Sequence, residues 1–98
     1  MSEPDHEDRR GAEQILRERK RQVVAEGFNR EHDLQYRNGE LIRCVLAYLL
    51  RDPEAWPFGI EMYKPTTEER DLVKAGALIA AEIDRLNGAK VLEEAARE

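Results

Sequence analysis

Residues 66–87, TTEERDLVKAGALIAAEIDRLN, decide the fold, because they combine a start signal, a stop signal and a sustained apolar pattern. Leu72, Gly76, Ile79, Ile83 and Leu86 recur at spacings of three and four, and Val73, Ala77 and Ala80 widen that stripe. This period predicts a helix with a broad core-facing side. Thr66 followed by Glu69, just after Pro65, has the form of a capping box, and Asn87-Gly88 suits the left-handed conformation that ends a helix. The small residues Ala75, Gly76, Ala77, Ala80 and Ala81 leave room for a partner helix, so the segment reads as a packing hub.

Upstream of the hub lies DPEAWPFGIEMYKP, residues 52–65, which holds three of the four prolines and the only tryptophan. Trp56, Phe58, Ile60, Met62 and Tyr63 are too apolar for a solvated connection of this length. The segment therefore either covers the core as a lid or presents a surface to a partner. Before it, Asn38-Gly39 opens a second helix over 40–51. Leu41, Cys44, Val45, Tyr48 and Leu49 form one apolar face there, and Ile42, Leu46 and Leu50 widen it until the helix reads as nearly buried all round. Glu40 sits in the first turn, where the helix dipole favours a carboxylate.

Residues 27–38, GFNREHDLQYRN, carry no period and read as a structured loop. His32-Asp33 within it has two readings: a metal or phosphate site, since imidazole and carboxylate are both ligands, or a turn cap. A first helix is predicted from Gly11 or Ala12 to Glu26, with Ala12, Ile15, Leu16, Val23 and Val24 toward one side and Gly27 as its stop. Its RERKR run, Arg17 to Arg21, fans around the circumference and is interrupted by Glu18, so it reads as a solvated face. Residues 1–10 are polar and aperiodic and read as a disordered arm ahead of a single helical domain, 11–98. Val91, Leu92, Ala95 and Ala96 predict a short separate C-terminal helix after Ala89.

The expected fold class is thus all-α, with three main helices, an aromatic, proline-containing connection and a short terminal helix. A chain of 98 residues suits one domain with one shared core. Its net charge of -5 gives no global attraction to nucleic-acid backbones. No apolar run reaches membrane-spanning length, and the acidic N-terminal stretch is unlike a signal peptide, so a cytoplasmic location is expected. One cysteine cannot form an internal disulfide, and Cys44 on an apolar helix face reads as a small buried hydrophobe. Two strongly apolar helices and an aromatic connection exceed what three helices of this size readily cover. That surplus predicts a homo-oligomer, most simply a twofold dimer.

The ordered set ERKRQVVAEGFNREHD, NGEL, WP, YKP and DLVKAGALIAAEIDRL resembles a family of small bacteriophage and prophage proteins, over about residues 16–87. Two positions depart from that pattern: Phe28 stands where the family tends to have Trp, and Leu34 where it tends to have a second Asp after the HD pair. The resemblance implies a phage or prophage origin and a bacterial host cell, and it brings no assigned reaction. More distantly, the arrangement is similar to the phage branch of the MazG-type all-α nucleotide pyrophosphohydrolases. That similarity implies magnesium held by Glu-x-x-Glu on one helix and Glu-x-x-Asp on the next. Glu40 matches one ligand position, but Arg43 stands where a second carboxylate is wanted. Glu68-x-x-Asp71 has the right form, with capping as its other explanation. Glu40, Asp71 and Glu82 are the candidate metal ligands.

Two classes of function follow. The first is a small non-catalytic binding protein, an inhibitor or modulator of a host protein such as an antiviral defence component, needing no cofactor. The second is a magnesium-dependent nucleotide pyrophosphohydrolase with degenerate ligands. Between them stands a binder that sequesters a small nucleotide, with Arg19, Arg21 and Lys64 for phosphates and Trp56 or Tyr63 for a base. The expected ligand or partner surface comprises His32, Asp33, Trp56, Phe58, Tyr63 and Lys64.

Overall fold

The computed structural model describes residues 5, 7–27 and 33–97; His32 and Phe28 lie outside them. Among the described residues the fold has three helices, α1 (Arg10–Glu26), α2 (Glu40–Leu50) and α3 (Glu68–Arg97), with 3-10 turns at Pro53–Ala55 and Ile60–Met62 between α2 and α3. The described residues contain no strand, and the all-α expectation holds. No helix among them is long and apolar enough to cross a membrane.

The helix boundaries follow local chemistry. Of the expected arm, Asp5 accepts hydrogen bonds from the amides of Glu7 and Asp8, both at 3.1 Å, and this turn feeds α1 at Arg10. Gly27 (φ 73°) stops α1 as anticipated, and Gly39 (φ 79°) precedes α2; both hold the left-handed backbone that side chains disfavour. At the start of α3 the cap sits one residue later than the sequence suggests. Thr67 Oγ1 accepts from the Arg70 amide at 3.2 Å, while the Thr66 amide donates to Asp71 Oδ1 at 2.8 Å. The carboxylate of Asp71 thus ties the incoming chain to the first turn.

α3 is the hub: its main contacts are with α2 on one side and α1 on the other. The core joins Leu41, Cys44, Val45 and Tyr48 of α2 to Ala75, Leu78 and Ala81 of α3. Gly76 is the close-approach point for α1, since a Cβ there would stand 2.6 Å from Cδ1 of Ile15.

Three sequence expectations need correction. The apolar stripe of α3 is not its core face: Gly76 packs on α1, but Leu72 (51%), Ile79 (42%), Ile83 (53%) and Leu86 (46%) remain exposed. The alanines are buried instead, because small side chains let helix axes approach and the bulky ones are turned outward. α2 is likewise buried on one side only, with Ile42, Leu46, Leu49 and Leu50 exposed, since its main helix contact among the described residues is with α3. Finally, Asn87-Gly88 does not end α3, which runs on to Arg97 and absorbs the expected separate terminal helix. Glycine inside a helix costs only about 1 kcal/mol relative to alanine, and the strong helix formers that follow outweigh it.

Candidate functional site

The connection between α2 and α3 is held by its aromatic rings. Trp56 meets Tyr48 edge-on at 5.6 Å, Tyr63 at 5.3 Å and Phe58 at 5.9 Å between ring centres. Phe58 continues to Tyr36 at 5.2 Å. The polar tips are also engaged. Trp56 Nε1 donates to the Gly59 carbonyl at 3.0 Å, and the Tyr63 hydroxyl donates to the Ala47 carbonyl at 2.8 Å. The Lys64 amide donates to the Tyr48 hydroxyl at 3.3 Å. Burial pushes the Tyr48 hydroxyl above its ordinary pKa, so it stays protonated in this role. The rings close the core at this end and at the same time form one wall of a cleft.

That cleft, of about 730 Å³, lies between the connection, α1 and α3. Tyr48, Trp56 and Met62 supply apolar surface. Arg21, Lys64, Arg70 and Lys74 bring four cations against the carboxylates of Glu18 and Glu61. Lys74 is directed by its surroundings: Nζ donates to the Lys64 carbonyl and sits 5.5 Å from the centre of the Tyr48 ring. Burial lowers its pKa while nearby Asp71 opposes the shift.

At the floor, Glu18 is 3% exposed. It accepts from Arg21 at 3.0 and 2.7 Å, from Arg70 Nη2 at 2.6 Å and from Gln22 Nε2 at 3.3 Å. Burial alone would raise this carboxyl, but hydrogen bonds from Arg21 and Arg70 outweigh it and bring the pKa to about 2. Glu18 therefore remains an anion that fixes the two guanidinium groups at the rim. The neighbouring Gln22 is 4% exposed, and its Oε1 is buried without a hydrogen-bond partner. A buried amide oxygen in that state carries a desolvation cost that a donor from a bound molecule or water would relieve.

The surface expected from sequence is divided by the structure. Trp56 and Lys64 line the cleft, whereas Tyr63 and Phe58 pack behind Trp56 and do not. Asp33 is fully buried, with Arg19 Nη2 4.0 Å from Oδ2, and its carbonyl accepts from the Tyr36 amide at 2.9 Å. Its turn meets the aromatic segment through Tyr36 and Phe58, outside the cleft. Of the cations considered for phosphate, Arg21 and Lys64 converge there, while Arg19 pairs with Asp84 at 3.0 Å. Glu18, Gln22, Tyr48, Arg70 and Lys74 were not singled out in the sequence. The signal for two of them was present, since Glu18 and Gln22 share the helical face of Ile15.

The candidate metal ligands do not converge. Glu40 accepts from the Asn38 amide at 2.7 Å at the start of α2. Asp71 is 1% exposed and pairs with Arg51 Nη1 at 2.8 Å. Glu82 pairs with Arg85, whose pKa that bond raises. Asp71 and Glu82 are separated by about 16 Å along α3 at 1.5 Å per residue. Among the described residues no group of three metal-binding side chains is found. Comparison with protein families, with curated proteins and with solved structures finds no match.

Proposed function

We propose that the chain is a small non-catalytic binding protein whose cleft takes a small aromatic anion of the nucleotide class. The observation that carries this reading is the meeting of Trp56 and Tyr48 with Arg21, Lys64, Arg70 and Lys74 around one cleft, on a chain whose net charge is -5. A volume of about 730 Å³ is ample for such a ligand. Aromatic faces accept a base without regard to its identity, and lysine and arginine meet phosphate. The Gln22 amide oxygen could accept from an exocyclic amine of a base that enters deeply.

The placement of the acids supports binding without turnover. The carboxylates that line the cleft are Glu18, already committed to Arg21 and Arg70, and Glu61, while Asp71 near Lys74 is committed to Arg51 and the Thr66 amide. Glu40 and Glu82 belong to the far end of the α2–α3 pair, and a magnesium-assisted hydrolysis needs carboxylates converging on the metal that bridges phosphate oxygens. The resemblance to small phage and prophage proteins supports a setting in a bacterial host, where withdrawing a nucleotide signal would blunt a defence response. Modulation of a host protein is the second reading, favoured by Ile60 and Met62, left exposed on the aromatic connection.

Mass spectrometry of small molecules released from the freshly purified protein, followed by equilibrium dialysis against nucleoside mono-, di- and triphosphates and cyclic dinucleotides, tests the proposal. Retention of one of these, lost in Lys64→Ala and returned unhydrolysed in the presence of magnesium or manganese, is the expected result. Turnover abolished by Glu40→Ala would establish the hydrolase instead. Copurification of a host protein with no nucleotide retained would favour the second reading.

A further inference from the structure

Most of the large apolar side chains that α2 and α3 leave outside their mutual contact share one side of the pair; Leu50, Val91 and Leu92 fall outside it. At 100° per residue, Leu72, Ile79, Ile83 and Leu86 of α3 fall within about 60° of arc, as do Ile42, Leu46 and Leu49 of α2. Each stripe lies roughly a third of a turn beyond the residues its helix buries in the shared core, in the same rotational sense. The two helices are antiparallel, with Arg51 bonded to Asp71 at one end and Glu40 near Arg85 at the other. Equal rotation on antiparallel neighbours places both stripes on the same face. The cleft residues Arg70, Lys74 and Leu78 lie on the opposite flank of α3.

This face has a centre. Leu72 and Leu86 each stand seven residues from Ile79, and Glu68 and Lys90 each stand eleven residues from it. The Arg51–Asp71 bond and the seat of Lys74 over the Tyr48 ring set the register, which brings Leu46 within about one helical turn of Ile79. A twofold axis crossing α3 at Ile79 therefore passes α2 near Leu46. Around that axis Leu72 meets Leu86 of the other copy, and Glu68 meets Lys90 of the other copy. Glu68 and Lys90 are both exposed and have no ion pair among the described residues.

The dimensions agree. The fold is a slab of 46 × 43 × 22 Å with an accessible surface of 7057 Å². A compact monomer of 11.4 kDa exposes about 5,800 Å². The chain therefore exposes more surface than a compact monomer of its size, as a flat fold does.

We propose that a second copy of this chain docks here, α2 and α3 of each copy forming an isologous four-helix bundle with its twofold axis near Leu46 and Ile79. The cleft faces away from the bundle and stays open, so the two assignments stand or fall separately.

Sedimentation of the full chain at low micromolar concentration is expected to show a dimer, converted to monomer by Ile79→Asp or Leu46→Asp with helical content retained. Oxidation of Ile79→Cys should link the copies, whereas Leu72→Cys should link only when mixed with Leu86→Cys. The native Cys44 does not compete, because it is 1% exposed and burial pushes its thiol up to about 12. Glu68→Lys and Lys90→Glu should each weaken the dimer several-fold and together restore it, and these exposed positions give a readout even if Ile79→Asp fails to fold. A wild-type monomer at that concentration overturns the proposal. So does a dimer indifferent to these charge reversals, or one in which Leu72→Cys links to itself.

Discussion

Along α1 and the first turn of α3, the chain buries Glu18, Gln22 and Asp71, each 4% exposed or less, whereas the opposite flank of α3 leaves Leu72, Ile79, Ile83 and Leu86 between 42% and 53% exposed. A globular domain ordinarily does the reverse. The buried polar groups are held by long-range partners, Arg70 for Glu18 and Arg51 for Asp71, so that flank is locally satisfied except at the Gln22 amide oxygen. The apolar flank has no such compensation within the chain. One side is therefore rich in paired polar groups and the other in uncovered apolar ones, and the two can be perturbed independently.

The largest effect is expected on the polar flank as pH falls. The folded pKa of Glu18 is about 2, against an ordinary value of 4.5. Its stabilisation is complete above pH 4.5 and is lost as pH drops through 2, because the unfolded chain takes up the proton first. About 3 kcal/mol is at stake. Denaturation of wild type and Glu18→Gln across that range should show a pH-dependent loss that the variant largely lacks.

Asp71→Ala should cost about 2 kcal/mol, measured by urea denaturation, since it removes the acceptor for both the Thr66 amide and Arg51. It also frees the side chain that accompanies the one positive φ outside glycine among the described residues, Arg51 at 53°. Loss of that anchor should loosen the end of α2 as well as the start of α3. Gly76→Leu should cost about 1 to 2 kcal/mol, because a Cβ there already stands 2.6 and 2.9 Å from Cδ1 and Cγ1 of Ile15 and the rest of the side chain must displace them further. An unchanged melting temperature would show that α1 does not press closely on α3.

The contrast between the flanks also explains what was readable from sequence. Gly27 and Asn38-Gly39 marked real helix boundaries because left-handed backbone is a local demand, and the alanines of the hub signalled close packing. The outward turn of Leu72 and Ile79 was not readable, since helical period says which residues share a face but not which face meets the core. Glu18 shares the helical face of Ile15 but stands inside a charged run, and the Arg70 that compensates its burial lies 52 residues away. Asp71 was masked in the same way by Arg51. Gly88 misled because glycine permits a left-handed stop without requiring one. For the site, Trp56, Lys64 and Arg21 were visible as residue types; their convergence with Tyr48 and Lys74 depends on how the connection folds back over α2.

The smallest effect on stability, within about 0.5 kcal/mol, is expected for Lys64→Ala, whose exposed side chain can be removed while its backbone contacts to Tyr48 and Lys74 persist. This makes it the cleanest probe of the cleft. Trp56 is the only tryptophan and lines that cleft, so its fluorescence reports occupancy directly. Titration of the wild-type chain with ATP, GTP and cyclic dinucleotides should give a saturable change with at least one of them, absent in Lys64→Ala at an unchanged melting temperature. No saturable change with any of these probes, or an identical response from wild type and Lys64→Ala, would contradict the assignment of the cleft.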